Sequence, residues 1–201
     1  MFTLFAAKNT VAIAPHIALE ETGLPYAINW LNFASSDQRQ PDYLAINPKG
    51  RVPALVTDDG ILTEAPAILE YIAETSGDLM PKGPYERAKV REMLSYLAAT
   101  MHPNHAHGLR GERWSDDPAA HASMKAKVPE TMAASSAHVE SCLPDTGWLV
   151  GAYSIADIHL YNVCRWLKGD GVDITDYPKL SAHFDAMGQR DAVQRIERAH
   201  G

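Results

Sequence analysis

Short apolar runs punctuate the first third of the chain, and apolar positions recur at helical spacing through the rest. Phe2 to Ala6 alternates as a strand does, and Lys8-Asn9-Thr10 follows as a polar loop. Val11 to Thr22 carries apolar residues at helical spacing and is stopped by Gly23. Tyr26 to Phe33 predicts a second strand, and Ser35 to Tyr43 a polar loop with room for a short helix. Ala54-Leu55-Val56 and Ile61-Leu62-Thr63 are short β-prone runs flanking Asp58-Asp59-Gly60. Asp-Gly between such runs is the strongest short hairpin signal. Glu64-Ala65-Pro66 then leads into the helical spacing of Ala67 to Ile72, which ends near Ser76-Gly77. Pro66 suits the first helical position, where its missing N–H costs nothing. The order βαβ followed by ββα describes a compact α/β unit over residues 1–78.

Pro81, Gly83 and Pro84 mark residues 79–85 as a linker. Beyond Glu86 strand signals nearly vanish. Arg87 to Met101 predicts a helix that His102-Pro103 bends or interrupts. Pro118 to Leu143 predicts a long helix whose start has acids before a first-turn proline. Tyr153 to Trp166 is the most apolar helix and the expected centre of this part. Its start, Ser154-x-x-Asp157, reads as a capping box with Asp in place of Glu. Pro178 to Met187 and Asp191 to Ala199 predict two more helices. Residues 86–201 therefore read as an all-helical domain.

Composition narrows the function classes. Of 201 residues 46% are hydrophobic and 21% charged, as in a folded globular protein. A net charge of −7 argues against a nucleic-acid footprint. No apolar run approaches the roughly 18 residues of a membrane span. Met1 to Phe5 lacks the basic start of a signal peptide. Cys142 and Cys164 are the two cysteines, with neither redox nor zinc spacing. A cytoplasmic protein is expected.

Chemistry is concentrated between Asn47 and Ile72. Free N–H groups and the dipole at the Pro66 helix start favour a carboxylate or phosphate. Arg51-Val52-Pro53 sets a proline just before a strand, and a cis Val52–Pro53 bond would turn the Val52 backbone outward to a ligand. Glu64 reads either as a first-turn acid that favours the dipole or as a partner for a ligand amine. Arg51 reads either as a solvated arginine or as a bidentate partner for a carboxylate.

This stretch, with its N-P-x-G-x-V-P-x-L pattern, hairpin and T-E-x-x-A-I run, resembles the thioredoxin-like half of the glutathione transferase family. Ala14 to Tyr26 resembles that family's first helix and its exit, and Ser154 to Asp157 the cap of its central C-terminal helix. The nearest class, by APHIALEETGL and LAINPKG, is the bacterial beta class. The resemblance implies a thioredoxin-like α/β domain followed by an all-α domain, with glutathione as co-substrate and no metal. It implies that Val52 and Pro53 pair with the cysteinyl backbone of glutathione, while Glu64 and Ala65 hold its γ-glutamyl end. It also implies a homodimer, in which Ser95 matches a residue that reaches the partner's ligand. The second substrate would be a small hydrophobic electrophile. Leu97, Met101, Trp114, Tyr161 and Trp166 are candidates for its pocket, although most such residues on helices are core.

Glutathione chemistry depends on a thiol that ordinarily titrates near 8.5. A hydrogen bond to the thiolate, about 1.5–3 kcal/mol, lowers that value by about one to two units. In the resemblance the donor comes from the loop Ala7 to Ala12. The beta-class cysteine position holds Val11 and its tyrosine position Ala6. Asn9 and Thr10 remain as donors, and either also suits a plain capping role. His102 matches a beta-class histidine that faces the thiol. The run His102 to His107 has no acidic or cysteine neighbours in sequence, so a metal site is not expected. Conjugation is the leading reading. A glutathione-dependent disulfide reductase or peroxidase, or a non-catalytic binding protein of the same fold, are the alternatives.

Overall fold

The structure, a computed structural model, describes all residues from Met1 to Gly201, and the chain divides into two compact units. The first comprises Met1–Pro81 together with Gly188–Gly201, and the second Lys82–Met187. In the first, β1 (Phe2–Ala6) leads through α1 (Ile13–Thr22) to β2 (Tyr26–Trp30). After α2 (Pro41–Ile46), β3 (Ala54–Thr57) and β4 (Gly60–Thr63) form the expected hairpin, followed by α3 (Ala65–Ser76). The sheet order is β2-β1-β3-β4, with β1 and β2 parallel and the other neighbours antiparallel. Helices α1 and α3 pack together. Leu4, Ile13, Ile17, Leu55, Ile68, Leu69 and Ile72 are wholly buried. This is the thioredoxin-like unit that the resemblance implied.

Several local boundaries differ from those the pattern predicts, among them β4, which begins at Gly60, and the central apolar helix, which spans Ile155–Cys164 and is shorter at both ends. Helix α1 begins at Ile13 rather than Val11, because the Thr10 hydroxyl accepts the Ala12 N–H at 3.3 Å and holds the entry as a turn. Strand β2 ends at Trp30, three residues before Phe33. There Asn32 caps a 3₁₀ turn: its side chain accepts the Ala34 N–H at 3.0 Å, and its own N–H goes to Asp37 at 2.8 Å. Those contacts divert the backbone from the sheet. Pro66 is the second residue of α3 rather than the first, with Glu64 as its N-cap.

The last helix, α9 (Asp191–His200), groups with the α/β unit, whereas the sequence reading placed it in a helical domain over 86–201. Polar ties explain this. Arg190 grips Glu21 with two N–H donors at 2.6 and 2.9 Å, and Arg195 reaches Glu20 at 2.6 Å. Deeper in, the Tyr26 hydroxyl donates to Glu20 at 2.9 Å, so His16 Nε2 must donate to Tyr26, 3.1 Å away. His16 Nδ1 is then an acceptor, and His200 Nε2 donates to it at 3.0 Å. Only a neutral His16 completes this chain. Burial accordingly pulls its pKa down to about 4, against a smaller upward pull from Glu20.

The second unit is helical: α4 (Pro84–Tyr96), α5 (His102–Ala106), α6 (Pro118–Cys142), α7 (Ile155–Cys164) and α8 (Pro178–Gly188). All ten residues of α7 are buried, so it is the central helix, as its apolar pattern predicted. Ser154 and Asp157 form the expected capping box. The Asp157 carboxylate also accepts from Leu149 N at 3.0 Å and from His183 Nε2 at 3.0 Å, and thereby joins two further segments to the helix start. His102-Pro103 does not interrupt the preceding helix. Leu97–Met101 forms a π turn and the chain continues helically through Pro103. A wider turn absorbs the hydrogen bond that a proline cannot make.

Candidate active site

The chemistry-bearing residues of the α/β unit gather at one end of the β3–β4 hairpin. Its register pairs Ala54 with Thr63. That pairing brings the residues just before Ala54, Val52 and Pro53, to the same end as those just after Thr63, Glu64 and Ala65. The Val52–Pro53 peptide is cis, as expected. Upstream, the Arg51 carbonyl accepts from Tyr43 Oη at 2.5 Å and from Asn47 Nδ2 at 2.6 Å. Asn47 is buried, and its Oδ1 accepts from Lys49 N at 3.2 Å. These bonds hold the Lys49–Val52 turn on a buried anchor. Gly50 makes the turn possible: its φ is +60°, and a Cβ there would lie 2.9 Å from both the Gln38 carbonyl and Arg39.

Glu64 takes φ 71° and ψ 119°, an unusual conformation for a residue with a side chain. Ala65 opens α3 and is buried; with no N–H on Pro66, the helix start presents the N–H groups of Ala65 and Ala67. Lys49, which the sequence reading did not single out, reaches Thr63 Oγ1 at 2.7 Å and Glu64 Oε1 at 2.5 Å. Its place in the N-P-K-G turn was the only available signal. The ion pair is exposed and contributes little to stability. Its effect is to set an ammonium beside the carboxylate. Arg51 is exposed close by in sequence. This edge thus offers an acid, two bases and backbone N–H groups, a set suited to a small peptide carrying both charges.

The loop before α1 holds Thr10 in a fixed role. Its hydroxyl donates to the Ala7 carbonyl at 2.8 Å and accepts from Ala12 N, so its one proton is already placed. Asn9 is exposed, with φ 56°. Ala6 and Val11 are buried. Neither cysteine lies here: Cys142 is exposed at the end of α6, and Cys164 is buried on α7, where burial pushes its thiol up.

The remaining candidates belong to the helical unit. Ser95 is exposed near the end of α4. His102 opens α5 with its ring 4.9 Å from that of Trp166. The same indole stacks on His105 at 4.3 Å and 15°. His105 Nδ1 lies 2.9 Å from both oxygens of Asp170. The histidine run therefore does have an acidic neighbour, 65 residues away in sequence and invisible there. Of the suggested pocket residues, Leu97, Met101 and Tyr161 are core, and Trp114 is exposed against His107 at 4.3 Å. An open surface hollow of about 310 Å³ is lined by His107, Leu109, Glu112, His121 and Lys125. On α7, His159 and Asn162 are fully buried with no protein partner for their side-chain polar atoms, and Trp166 lies beyond the helix end at Cys164, although the sequence pattern continues the helix that far. Burial, with a smaller effect of His102, pulls His159 down to about 3 and keeps it neutral.

A thioredoxin-like unit with a charged hairpin edge and a separate helical unit defines a recognisable class of two-part proteins. Residues 1–74 match the family model for the glutathione S-transferase N-terminal domain, and residues 105–195 that for the C-terminal domain. The chain belongs to the glutathione S-transferase family. It is 30% identical over 205 residues to the glutathione S-transferase GstA of Escherichia coli O157:H7, covering 98% of each chain. A glutathione transferase homologue from Sulfitobacter, solved with bound glutathione, is 44% identical with a TM-score of 0.94, covering 99% of this chain and 98% of that one. The bacterial beta class enzyme of Sphingomonas chungbukensis is 31% identical with a TM-score of 0.85, over 99% and 98% of the two chains.

Proposed function

We propose that this chain is a cytoplasmic, homodimeric glutathione transferase that joins glutathione to small apolar electrophiles. Glutathione binds the hairpin edge of the α/β unit. The Val52 backbone pairs with its cysteinyl residue, Glu64 and the Ala65 N–H hold the γ-glutamyl end, and Arg51 pairs with a carboxylate. The observation that carries this reading is the Ala54–Thr63 register, which brings Val52-Pro53 and Glu64-Ala65 to one end of the hairpin. In the loop before α1, Asn9 donates to the thiolate, while the Thr10 proton serves the Ala7 carbonyl. His102 and Ser95 act from the helical unit, Ser95 towards the partner's ligand.

Calorimetry tests the assignment. Glu64→Ala should weaken glutathione binding by about 1.5–3 kcal/mol, the loss of a charge-assisted hydrogen bond. Unaltered affinity would remove Glu64 from the site. Light scattering tests the dimer, and a mass of one 22.0 kDa chain at micromolar concentration would refute it. A second reading, a binding protein without turnover, is favoured by the same Thr10 bond, which removes one of the two candidate thiolate donors, Asn9 and Thr10. Turnover of any electrophile, peroxide or disulfide with glutathione would dismiss it.

A further inference from the structure

The ion pair at the hairpin edge sits where the ligand's amine must bind. Lys49 Nζ donates to Thr63 Oγ1 at 2.7 Å and to Glu64 Oε1 at 2.5 Å, so an internal ammonium already occupies the carboxylate assigned to that amine. The backbone of Lys49 is pinned. Its N–H donates to Asn47 Oδ1 at 3.2 Å, and Asn47 is buried. The Asn47 N–H donates to the Tyr43 carbonyl at 2.8 Å, and the Asn47 carbonyl accepts from Gly50 N at 2.9 Å. The side chain is freer: it is 44% exposed, against 68% for Glu64. An ion pair this open is held by little net energy and exchanges partners readily. Lys49 is therefore a cation on a fixed base and a flexible four-carbon stem.

Two kinds of ligand meet this pair differently. An ammonium with no carboxylate beside it reaches Glu64 only by displacing Lys49 or by sitting next to a second cation, and either costs affinity. An α-amino acid end carries its carboxylate one carbon from its ammonium. Such a ligand gives Lys49 a new partner as it takes the old one. The charges then alternate, with the ammonium on Glu64 and the carboxylate on Lys49. We propose that Lys49 is a specificity-determining latch, which holds Glu64 until a ligand offers a carboxylate in exchange. The latch selects a free α-amino acid end over an amine alone. This selection rests on the glutathione transferase reading above and refines it, since the γ-glutamyl residue is joined through its side chain and keeps both α-groups free. A peptide joined through its α-carboxyl keeps only the ammonium and is disfavoured. The Ala65 N–H, next in the chain to Glu64, shares the carboxylate.

The test is calorimetry of the full-length chain with glutathione and with 4-aminobutanoyl-cysteinylglycine, which is glutathione without its α-carboxylate. In Lys49→Met the two affinities should move in opposite directions. Glutathione should bind about tenfold more weakly, for the loss of a charge-assisted hydrogen bond. The decarboxylated ligand should bind about threefold more tightly, because the competing ammonium is gone and an exposed ion pair is worth about that much. Lys49→Arg keeps the cation and should keep the parent's preference for glutathione. Equal weakening of both ligands in Lys49→Met would make Lys49 a general support of the edge, and no change in either would make it a surface ion pair. Each of those results overturns the proposal. A parent that binds no glutathione would instead defeat the transferase reading, and the latch with it.

Discussion

The hairpin edge of the α/β unit and the histidine–tryptophan face of the helical unit carry comparable chemistry but are assembled differently. At the edge, the participating groups lie between Tyr43 and Ala65, joined by a tight turn and one strand pairing. On the helical face, His105 meets a carboxylate 65 residues further on, and Trp166, just past the end of α7, touches two histidines of α5. A site made of sequence neighbours keeps its geometry as long as its turn survives. A site made of distant residues depends on the packing of the whole unit. Substitutions that break long-range anchors should therefore damage stability, whereas substitutions within the edge should damage ligand affinity more.

The largest effect is expected from Asp157→Ala. This wholly buried carboxylate accepts from Ser154 N, Ser154 Oγ, Leu149 N and His183 Nε2. Its loss leaves those donors without their acceptor and should lower stability by about 3–5 kcal/mol in urea denaturation. A loss below about 1 kcal/mol would show that the helical unit is not organised around this anchor.

Next is acid sensitivity of the α1–α9 tie. His16 is held down to about 4 in the folded chain against 6.5 unfolded. Between those values the unfolded chain binds the extra proton, so stability falls as the pH falls. The contribution is complete above about 6.5 and gone below about 4, roughly 3 kcal/mol in all. His159, held to about 3, steepens the acid side in the same direction. Urea midpoints from pH 7 to 4 should show this slope, and His16→Gln should flatten much of it. A variant as acid-sensitive as the parent would assign the slope to other groups.

A smaller effect, with a different readout, is expected from Gly50→Ala. Positive φ and a 2.9 Å approach to the Gln38 carbonyl should cost about 2 kcal/mol. If the edge is the local device described, glutathione affinity will fall at least in proportion while the urea slope stays that of the parent. Intact affinity with reduced stability would mean that the turn supports the fold and not the ligand.

What could be read from the sequence alone was whatever a few neighbouring residues decide. The β3–β4 hairpin (its turn at Asp58-Asp59, one residue before the Asp59-Gly60 step), the Gly23 and Gly77 helix ends, the Ser154–Asp157 capping box and the cis Val52–Pro53 peptide all appear where the pattern put them, to within a residue. In each, backbone sterics or a hydrogen bond spanning a few positions settles the outcome, so residue type and spacing suffice. The rest was decided by packing. Lys49 reaches Glu64 only once the hairpin has folded back, and the Thr10 proton is taken by Ala7 only in the finished turn. Helix α9 groups with the first unit because Arg190, Arg195 and His200 find partners on α1. Asp170 becomes the partner of His105 through the docking of segments 65 residues apart. Such pairings leave no periodic trace, because they depend on where whole elements come to rest and not on what stands beside each residue in the chain.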